Sequence, residues 1–255
     1  AIAVQRILKK KAVVRRLAAA ETLGSVDVIC ADKTGTLTKG VMRVTQMITG
    51  LRGKRRGEKE MLMAAILCND MRDPLELAMN EWAREKMGKG KELRELYERL
   101  DSLPFNPRDK YIATLHKQVG ESQWLFVSGA PEVILEKSEL SGKEREQWRE
   151  KFAQMGNQGY RLVGFGYKKV RGKKKVVKTE TDGLVWLGIL VYEDPVRKEV
   201  KMALEQVIRS GIAVKVITGD YRETAAAVLR RIGLLDGVEA GLVLEGDELE
   251  KMSES

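Results

Sequence analysis

The chain has 255 residues, of which 43% are apolar and 33% are charged, and its 46 Lys and Arg against 37 Asp and Glu give a net charge of +9. This composition excludes a disordered chain and predicts one or two globular domains. The positive charge favours an anionic partner, but with only 5% aromatic residues we expect no nucleic acid among the partners.

The two cysteines and the single histidine exclude several kinds of site. Cys30 and Cys68 lie too far apart in the sequence to form a metal-binding pair or a disulfide framework. His116 is interpreted as an ordinary strand residue in "IATLHKQ" rather than a metal ligand or a catalytic base. A reducing cytoplasmic setting fits these residues best.

Both ends of the sequence look like cuts through a longer protein. The chain begins with a basic amphipathic segment, "AIAVQRILKKKAVVRRLAAAE", and ends in polar "GDELEKMSES". No apolar run reaches the roughly 20 residues that span a bilayer, so we expect this chain itself to be soluble.

The first predicted strand is "VDVIC" at residues 26–30, a β-branched run typical of a strand buried in a parallel sheet. Asp32 follows this strand and opens the string "DKTGTLT". Ligands bind at the carboxyl ends of the strands in open α/β sheets. Asp32 is therefore either a surface turn residue or a nucleophile at the edge of a site.

The pattern changes between residues 49 and 186. Two helices, "EKEMLMAAILCND" and "PLELAMNEWAREKMG", precede a hairpin of "KYIATLHK" and "QWLFVSGA" that turns around Gly120. Ser141 and Glu144 have capping-box spacing and predict a further helix. The strand "YRLVGFGYKKV" follows. The basic runs at 52–56 and 171–178 are interpreted as solvated turns.

The last third alternates strands and helices. A buried strand "WLGILVY" (186–192) precedes a helix over 194–211 that ends at Gly211; a strand "IAVKVI" (212–217), the turn "TGD" and a helix over 222–235 follow. This alternation predicts a parallel sheet with helical crossovers. We therefore expect an α/β domain interrupted by an α+β insertion, with segments 1–48, 49–186 and 187–255.

The string "DKTGTLT" contains the groups that phosphoryl transfer to a carboxylate needs. Asp32 can attack, Lys33 adds positive charge, and Gly35 lets the backbone come close to a ligand. The oxygens of Thr34 and Thr36 can bind phosphate or a metal.

The stretch "ETLGSVDVICADKTGTLTKG" closely resembles the phosphorylation motif of the P-type cation-transporting ATPases, and "DPVR" (194–197) and "TGD" (218–220) resemble two further motifs of that family in the right order. The resemblance covers nearly the whole chain. It implies a haloacid-dehalogenase-like parallel sheet, incomplete here, with an inserted α+β nucleotide-binding domain that contains an antiparallel sheet. The leader before Asp32 resembles the calcium, sodium-potassium and proton pump branches.

The resemblance implies roles around the phosphorylated residue. Asp32 looks like the nucleophile, with Lys33 beside it, and the Asp32 carboxylate and the Thr34 carbonyl look like magnesium ligands. Thr218 would hydrogen-bond the transferred phosphoryl group, and Gly219 and Asp220 would shape the turn, although "TGD" alone is a common turn. Asp194 and Arg197 are similar to hinge and phosphate-side residues of the family, and could equally be a helix N-terminus.

The resemblance also implies a nucleotide site within the insertion. In "LPFNPRDKYIA", Phe105 would stack on adenine and Lys110 would follow it. Glu76 in "CNDMRDPLELAM" would face the base, and Ser128 and Gly129 begin the loop "SGAPE". Arg161 would lie near the phosphates. On its own residues, Phe105 would more simply be a core residue of a strand.

The sequence departs from the family pattern in two places. Ser128 stands where the family mostly has lysine, so one positive contact to the nucleotide is missing. The family's Gly-Asp-Gly-x-Asn-Asp stretch, whose Asp completes the magnesium site, does not occur in the chain. Groups that compensate the negative charge of the transition state often make the largest contribution to catalysis. Because two such groups are missing, we expect this chain alone to bind ATP with little phosphorylation.

The resemblance therefore implies the cytoplasmic catalytic portion of a cation pump that uses Mg²⁺ and ATP and forms an aspartyl-phosphate at Asp32. Its partners would be ATP, the actuator and membrane domains of the intact pump, and a transported cation whose identity depends on membrane helices absent from this chain. One alternative is a soluble phosphatase of the same superfamily, which usually has a second Asp where this chain has Thr34. The other is a nucleotide-binding fragment without activity of its own.

Overall fold

The computed structural model describes residues 2–9, 12–13, 15–16, 18, 22, 24–50, 54–88, 90–117, 122–173, 175–176, 178–219, 222–235 and 243–252. The chain divides into two compact units, the first formed by residues 1–39 with 196–219 and the second by residues 40–195 with 220–255. The sequence-based segments 1–48, 49–186 and 187–255 stay a prediction. Within the described residues, no helix combines the length and apolar character that crossing a membrane requires.

The helices and strands are numbered here along the chain. They are α1 (Ile2–Lys9), β1 (Val28–Asp32), β2 (Arg43–Thr49), α2 (Lys54–Leu67), α3 (Pro74–Met87), α4 (Gly90–Leu96), β3 (Arg99–Leu103), β4 (Tyr111–Lys117), β5 (Ser122–Gly129), α5 (Pro131–Glu136), α6 (Gly142–Asn157), β6 (Arg161–Arg171), β7 (Val185–Glu193), α7 (Val200–Arg209), β8 (Ala213–Ile217), α8 (Arg222–Arg231) and α9 (Gly246–Leu249). The order confirms a mixed α/β chain.

The first unit contains a two-stranded parallel sheet of β1 and β8, as the alternating pattern predicts. Helix α7 packs against β8 and buries Val200 and Leu204. The prediction that β1 is buried in the sheet is wrong, since Val28 is 45% exposed. Periodicity reveals that a strand is apolar, but which neighbours cover it depends on tertiary packing.

The predicted helix over 194–211 is shorter in the structure and begins at Val200. Asp194 precedes a proline, which disfavours helical backbone at that position. The helix ends before Gly211, whose φ of 79° lies in the left-handed region.

The second unit is built around a six-stranded antiparallel sheet with the order β2-β7-β6-β5-β4-β3. One face packs against α2, α3 and α4, and the other against α5 and α6. The prediction that residues 186–192 belong to the parallel sheet is therefore wrong. They lie in β7, which pairs antiparallel with both β2 and β6. Because β7 is covered on both faces, its sequence is as continuously apolar as that of a parallel strand.

Local signals for the second unit are confirmed. Strands β4 and β5 form the predicted hairpin, although its turn at Gly120 lies outside the described residues. Ser141 and Glu144 form the predicted capping box at the start of α6. Asp73 caps α3 by accepting a hydrogen bond from the Glu76 amide at 2.9 Å.

Candidate functional site

Asp32 and Thr218 lie at the carboxyl ends of neighbouring parallel strands in the first unit. Asp32 is the last residue of β1 and pairs in register with Ile217, the last residue of β8, and Thr218 follows directly. Asp32 is exposed and Thr218 is half-buried. This edge of a parallel sheet is where α/β proteins bind ligands, and the sheet brings the two predicted catalytic residues to it.

The residues after Asp32 form a tight turn. Thr34 (φ −76°, ψ 119°) and Gly35 (φ 79°, ψ −14°) have the angles of a type II turn, which requires a residue such as glycine at the second position. Thr34 is exposed, whereas Lys33 is only 7% exposed. The turn therefore presents the carboxylate and Thr34 to solvent and buries Lys33.

Thr38 closes this turn, a role that sequence reasoning missed. Its amide donates to the Lys33 carbonyl at 3.0 Å, and its hydroxyl bonds the same carbonyl at 3.1 Å. The hydroxyl also accepts a hydrogen bond from the Gly35 amide at 3.3 Å. The signal was present in the sequence, because Thr38 is the last residue of "DKTGTLT".

Arg197 holds the same turn from another part of the first unit. Its guanidinium donates to the Thr38 carbonyl at 3.0 Å and to the Gly35 carbonyl at 2.9 Å. The Arg197 amide also donates to the Leu37 carbonyl at 3.0 Å. Arg197 thereby positions the loop that carries Asp32, and its carried-over contact with phosphate stays a prediction.

Two other predicted residues lie close to the limits of the units. In the second unit, the carboxylate of Asp194 accepts hydrogen bonds from the Gly40 amide at 2.9 Å and the Val41 amide at 3.3 Å. These bonds tie together the two ends of the segment 40–195 of that unit, where the chain passes between the units. Gly219 is exposed after β8, and Asp220 lies outside the described residues.

Most of the predicted nucleotide residues lie at one end of the antiparallel sheet in the second unit. Phe105 and Lys110 belong to the connection between β3 and β4. Ser128 and Gly129 end β5 and pair with the start of β4, while Arg161 begins β6. Because neighbouring strands are antiparallel, the end of β5 lies beside the starts of β4 and β6. These five residues therefore lie at the same end of the sheet.

The connection between β3 and β4 gives Phe105 and Lys110 their positions. Phe105 is 58% exposed. The interpretation of Phe105 as a core residue, made from the local sequence without the family resemblance, is therefore wrong. The Asn106 side chain accepts from the Arg108 amide at 2.9 Å, and its carbonyl accepts from the Lys110 amide at 2.7 Å. Lys110 adopts a left-handed φ of 59°, which is uncommon for a residue other than glycine.

Gly129 is required by close packing of the backbone. A Cβ atom at this position would lie 2.3 Å from the Lys110 carbonyl oxygen and 2.6 Å from the Tyr111 Cα. Any larger residue would therefore push apart β4 and β5 beside Lys110.

Ser128 and Glu76 are linked through the chain between α2 and α3. Ser128 is 2% exposed, and its hydroxyl lies 3.4 Å from the Cys68 carbonyl and 3.5 Å from the Cys68 Sγ. Next to Cys68, the Asn69 amide group donates to the Glu76 carbonyl at 2.7 Å. The Glu76 carboxylate accepts from the Arg72 amide at 2.8 Å, so this side chain also stabilises the start of α3.

The oxygen atoms of Asp32 and Thr34 are suitable ligands for Mg²⁺. Among the described residues, no group of three or more His, Cys, Asp and Glu is placed to hold a metal. Mg²⁺ does not need such a group, because it is commonly bound by one or two carboxylates together with water and phosphate oxygens. The exposed carboxylate of Asp32 and the Thr34 carbonyl on the adjoining turn are hard oxygen ligands of this kind.

Comparison with known proteins shows which family the chain resembles. Residues 59–199 match the family model described as P-type ATPase, cytoplasmic domain N. The whole chain is 31% identical to a calcium-transporting ATPase of Listeria monocytogenes and covers 32% of that protein. It is 32% identical over 99% of its length to calcium-transporting ATPase 1 of Lactococcus lactis, again covering 32%. A cation-transporting ATPase of Synechocystis is 31% identical over 99% of the chain, which covers 33% of it.

The chain spans about a third of the length of these curated relatives. The family model alone covers more than half of the chain. The protein is therefore a member of the P-type ATPase family and contains that family's cytoplasmic domain N.

Proposed function

We propose that this chain is the catalytic portion of an ATP-driven calcium pump and that Asp32 is its phosphorylated residue. The observation that carries the proposal is the position of Asp32 beside Thr218, at the carboxyl ends of β1 and β8. The turn after Asp32 is fixed by Thr38 and Arg197. A fixed, exposed carboxylate on a rigid strand end is the arrangement that in-line attack on phosphorus requires.

In the proposed reaction, a carboxylate oxygen of Asp32 attacks the γ-phosphorus of ATP. The new bond joins that oxygen to phosphorus, the bond to the β,γ-bridging oxygen breaks, and ADP leaves with the electron pair. Thr218 donates a hydrogen bond to the transferred group, and Arg197 acts indirectly by keeping the Asp32 turn in place. Asp32 and Thr34 would hold Mg²⁺, which would supply charge neutralisation on the phosphate oxygens.

ATP is proposed to bind at the end of the antiparallel sheet where Phe105, Lys110 and Arg161 lie. The exposed ring of Phe105 offers a face for adenine. Lys110 and Arg161 are both exposed at this end and supply positive charge for the phosphates. Ser128 supplies neither charge nor exposed surface there, since its side chain is buried against Cys68.

The proposal of calcium as the transported ion rests on the relatives' names, two of which are calcium-transporting ATPases that match nearly the whole chain. Calcium binding and movement are assigned to membrane helices outside this chain, which would work together with an actuator domain. A phosphatase is less well supported, because Thr34 cannot perform the proton transfer of the second Asp in that class.

Incubation with Mg²⁺ and γ-labelled ATP, followed by an acid quench, tests the nucleophile. We expect a low level of hydroxylamine-sensitive label that disappears in Asp32→Asn and persists in Asp27→Asn, which alters an exposed carboxylate nearby in the sequence. Label that survives in Asp32→Asn would exclude this nucleophile. ATP binding without any label would instead favour the nucleotide-binding fragment.

A further inference from the structure

A cavity of about 210 Å³ lies in the second unit, at the edge of the sheet formed by β3. The loop after α2, helix α4 and strands β3 and β4 all contribute to it. Its polar lining consists of Asn69, Asp70, Arg94, Tyr97, Arg99 and His116. It shares none of the residues proposed to bind nucleotide or to be phosphorylated.

The charged residues of this cavity leave an excess of positive charge. Arg99 forms an ion pair with Asp70, and its other amino group donates to the carbonyls of Leu67 and Asn69 at 2.8 and 2.9 Å. Arg94 has no carboxylate partner among the residues that the structure describes. Burial, together with the positive charges of Arg99 and Arg84, lowers the pKa of Arg94. This positive excess favours an anionic ligand.

Arg94 is anchored at one end and has donors left over. Its Nη2 donates to the Ile66 carbonyl at 2.9 Å and makes a longer contact of 3.5 Å with the Asn69 carbonyl. Its Nε and Nη1 have no hydrogen-bond partner within the described part of the chain. A guanidinium fixed in this way presents a preorganised edge to an oxyanion.

His116 contributes a different group to the same cavity. The residue is 2% exposed, and its Nδ1 lies 3.0 Å from the Tyr97 carbonyl. A carbonyl only accepts, so the Nδ1 carries the proton and the Nε2 of the neutral ring has a lone pair. This Nε2 is buried and has no hydrogen-bond partner of good geometry among the described residues, although the Leu67 backbone also interacts with the ring. Burial lowers the pKa of His116 to about 4, so the ring is neutral at pH 7.

We propose that this cavity binds inorganic phosphate as the monohydrogen dianion, with its anionic oxygens on Arg94 and its hydroxyl donating to the His116 Nε2. The ligand must supply negative charge and an O–H donor together. Sulfate has the same charge and shape but no proton at pH 7. A phosphate monoester is mainly a dianion without a proton at this pH, because its second pKa is about 6.

Because His116 is the only histidine in the chain, its imidazole NMR signals report on this cavity alone. The test is a titration with inorganic phosphate at pH 7 and constant ionic strength, repeated with sulfate and with methyl phosphate. We expect a saturable shift of the His116 Nε2 signal with inorganic phosphate and a response at least about tenfold weaker with the other two anions. The wild-type comparison requires no variant to fold.

Variants then test the guanidinium. Arg94→Gln should weaken phosphate binding at least about tenfold, whereas Lys117→Gln, which removes an exposed charge beside His116 in the sequence, should leave it within about twofold. Phe105→Ala should leave it unchanged, which separates this cavity from the proposed nucleotide site. An unmoved His116 signal, an equal response to sulfate or methyl phosphate, or undiminished binding in Arg94→Gln would overturn the proposal.

Discussion

The guanidinium of Arg197 donates a hydrogen bond of 2.9 Å to the carbonyl of Gly35, across a separation of 162 residues in the chain. Gly35 has the left-handed φ of 79° that the turn after Asp32 needs. The bond therefore fixes an exposed turn at the point where a ligand would approach. Hydrogen bonds from a charged donor are among the stronger ones, at about 1.5–3 kcal/mol each.

We expect Arg197→Lys to loosen this turn while keeping the charge. Lysine lacks the planar fork that reaches both the Gly35 and the Thr38 carbonyls. Amide hydrogen exchange at Thr38, whose amide donates to the Lys33 carbonyl, should accelerate at least about tenfold. Arg209→Lys is the matched control, because Arg209 is exposed on α7 and should leave the Thr38 exchange rate unchanged. Equal exchange rates in both variants would contradict the positioning role of Arg197.

Phe105→Ala should weaken ATP binding at least about fivefold, since stacking of a base on an aromatic ring contributes about 1–3 kcal/mol. The side chain is 58% exposed, so its removal should change the stability of the fold little. Calorimetric titration with ATP measures the effect. Leu100 is also a partly exposed apolar residue and lies on β3, outside the proposed nucleotide site. Leu100→Ala should therefore bind ATP as tightly as the wild type. An unchanged affinity in Phe105→Ala would reject the placement of adenine.

The features that could be predicted from the sequence are those encoded over a few neighbouring residues. The capping box of Ser141 and Glu144 and the β4–β5 hairpin depend on adjacent turns and alternating side chains, and both are present. Asp32 could be placed at a strand end for the same reason, because the apolar run and the following turn are contiguous.

The pairing of strands that are distant in the sequence could not be predicted from a few neighbouring residues. Strand β7 is buried on both faces, and its apolar run gives no information on whether its neighbours are parallel or antiparallel. The bonds from Arg197 to the Asp32 turn and the cavity around His116 likewise join segments that are distant in sequence. Only the folded backbone brings such residues together.

The two cysteines should differ strongly in reactivity. Cys30 is exposed on β1, whereas Cys68 is fully buried and burial raises its pKa to about 11. Only about one Cys68 in a thousand is then a thiolate at pH 8, and the thiolate is the reactive form. A colorimetric disulfide reagent at pH 8 should modify one thiol per chain quickly and the second at least about 100-fold more slowly. Cys30→Ser should abolish the fast phase and Cys68→Ser should preserve it; two fast thiols in the wild type would refute this burial.

Protonation of His116 should make the stability of the second unit depend on pH. The pKa of this ring is lowered to about 4 by burial, against 6.5 for an unperturbed histidine, so between these values the unfolded chain binds a proton that the folded chain does not. Stability is therefore full above pH 6.5 and decreases as the pH falls towards 4, by on the order of 3 kcal/mol.

Denaturant unfolding in phosphate-free buffer, followed by tryptophan fluorescence, measures this dependence, because all four tryptophans lie in the second unit. In His116→Gln the side chain at this position does not titrate, so the loss of unfolding free energy between pH 6.5 and 4 should be smaller than in the wild type by that amount. Carboxylates titrate in both proteins and cancel in the comparison. Parallel pH profiles for the two proteins would show that the His116 ring is not held neutral by burial, and would also remove the lone-pair acceptor on which phosphate binding in the cavity depends.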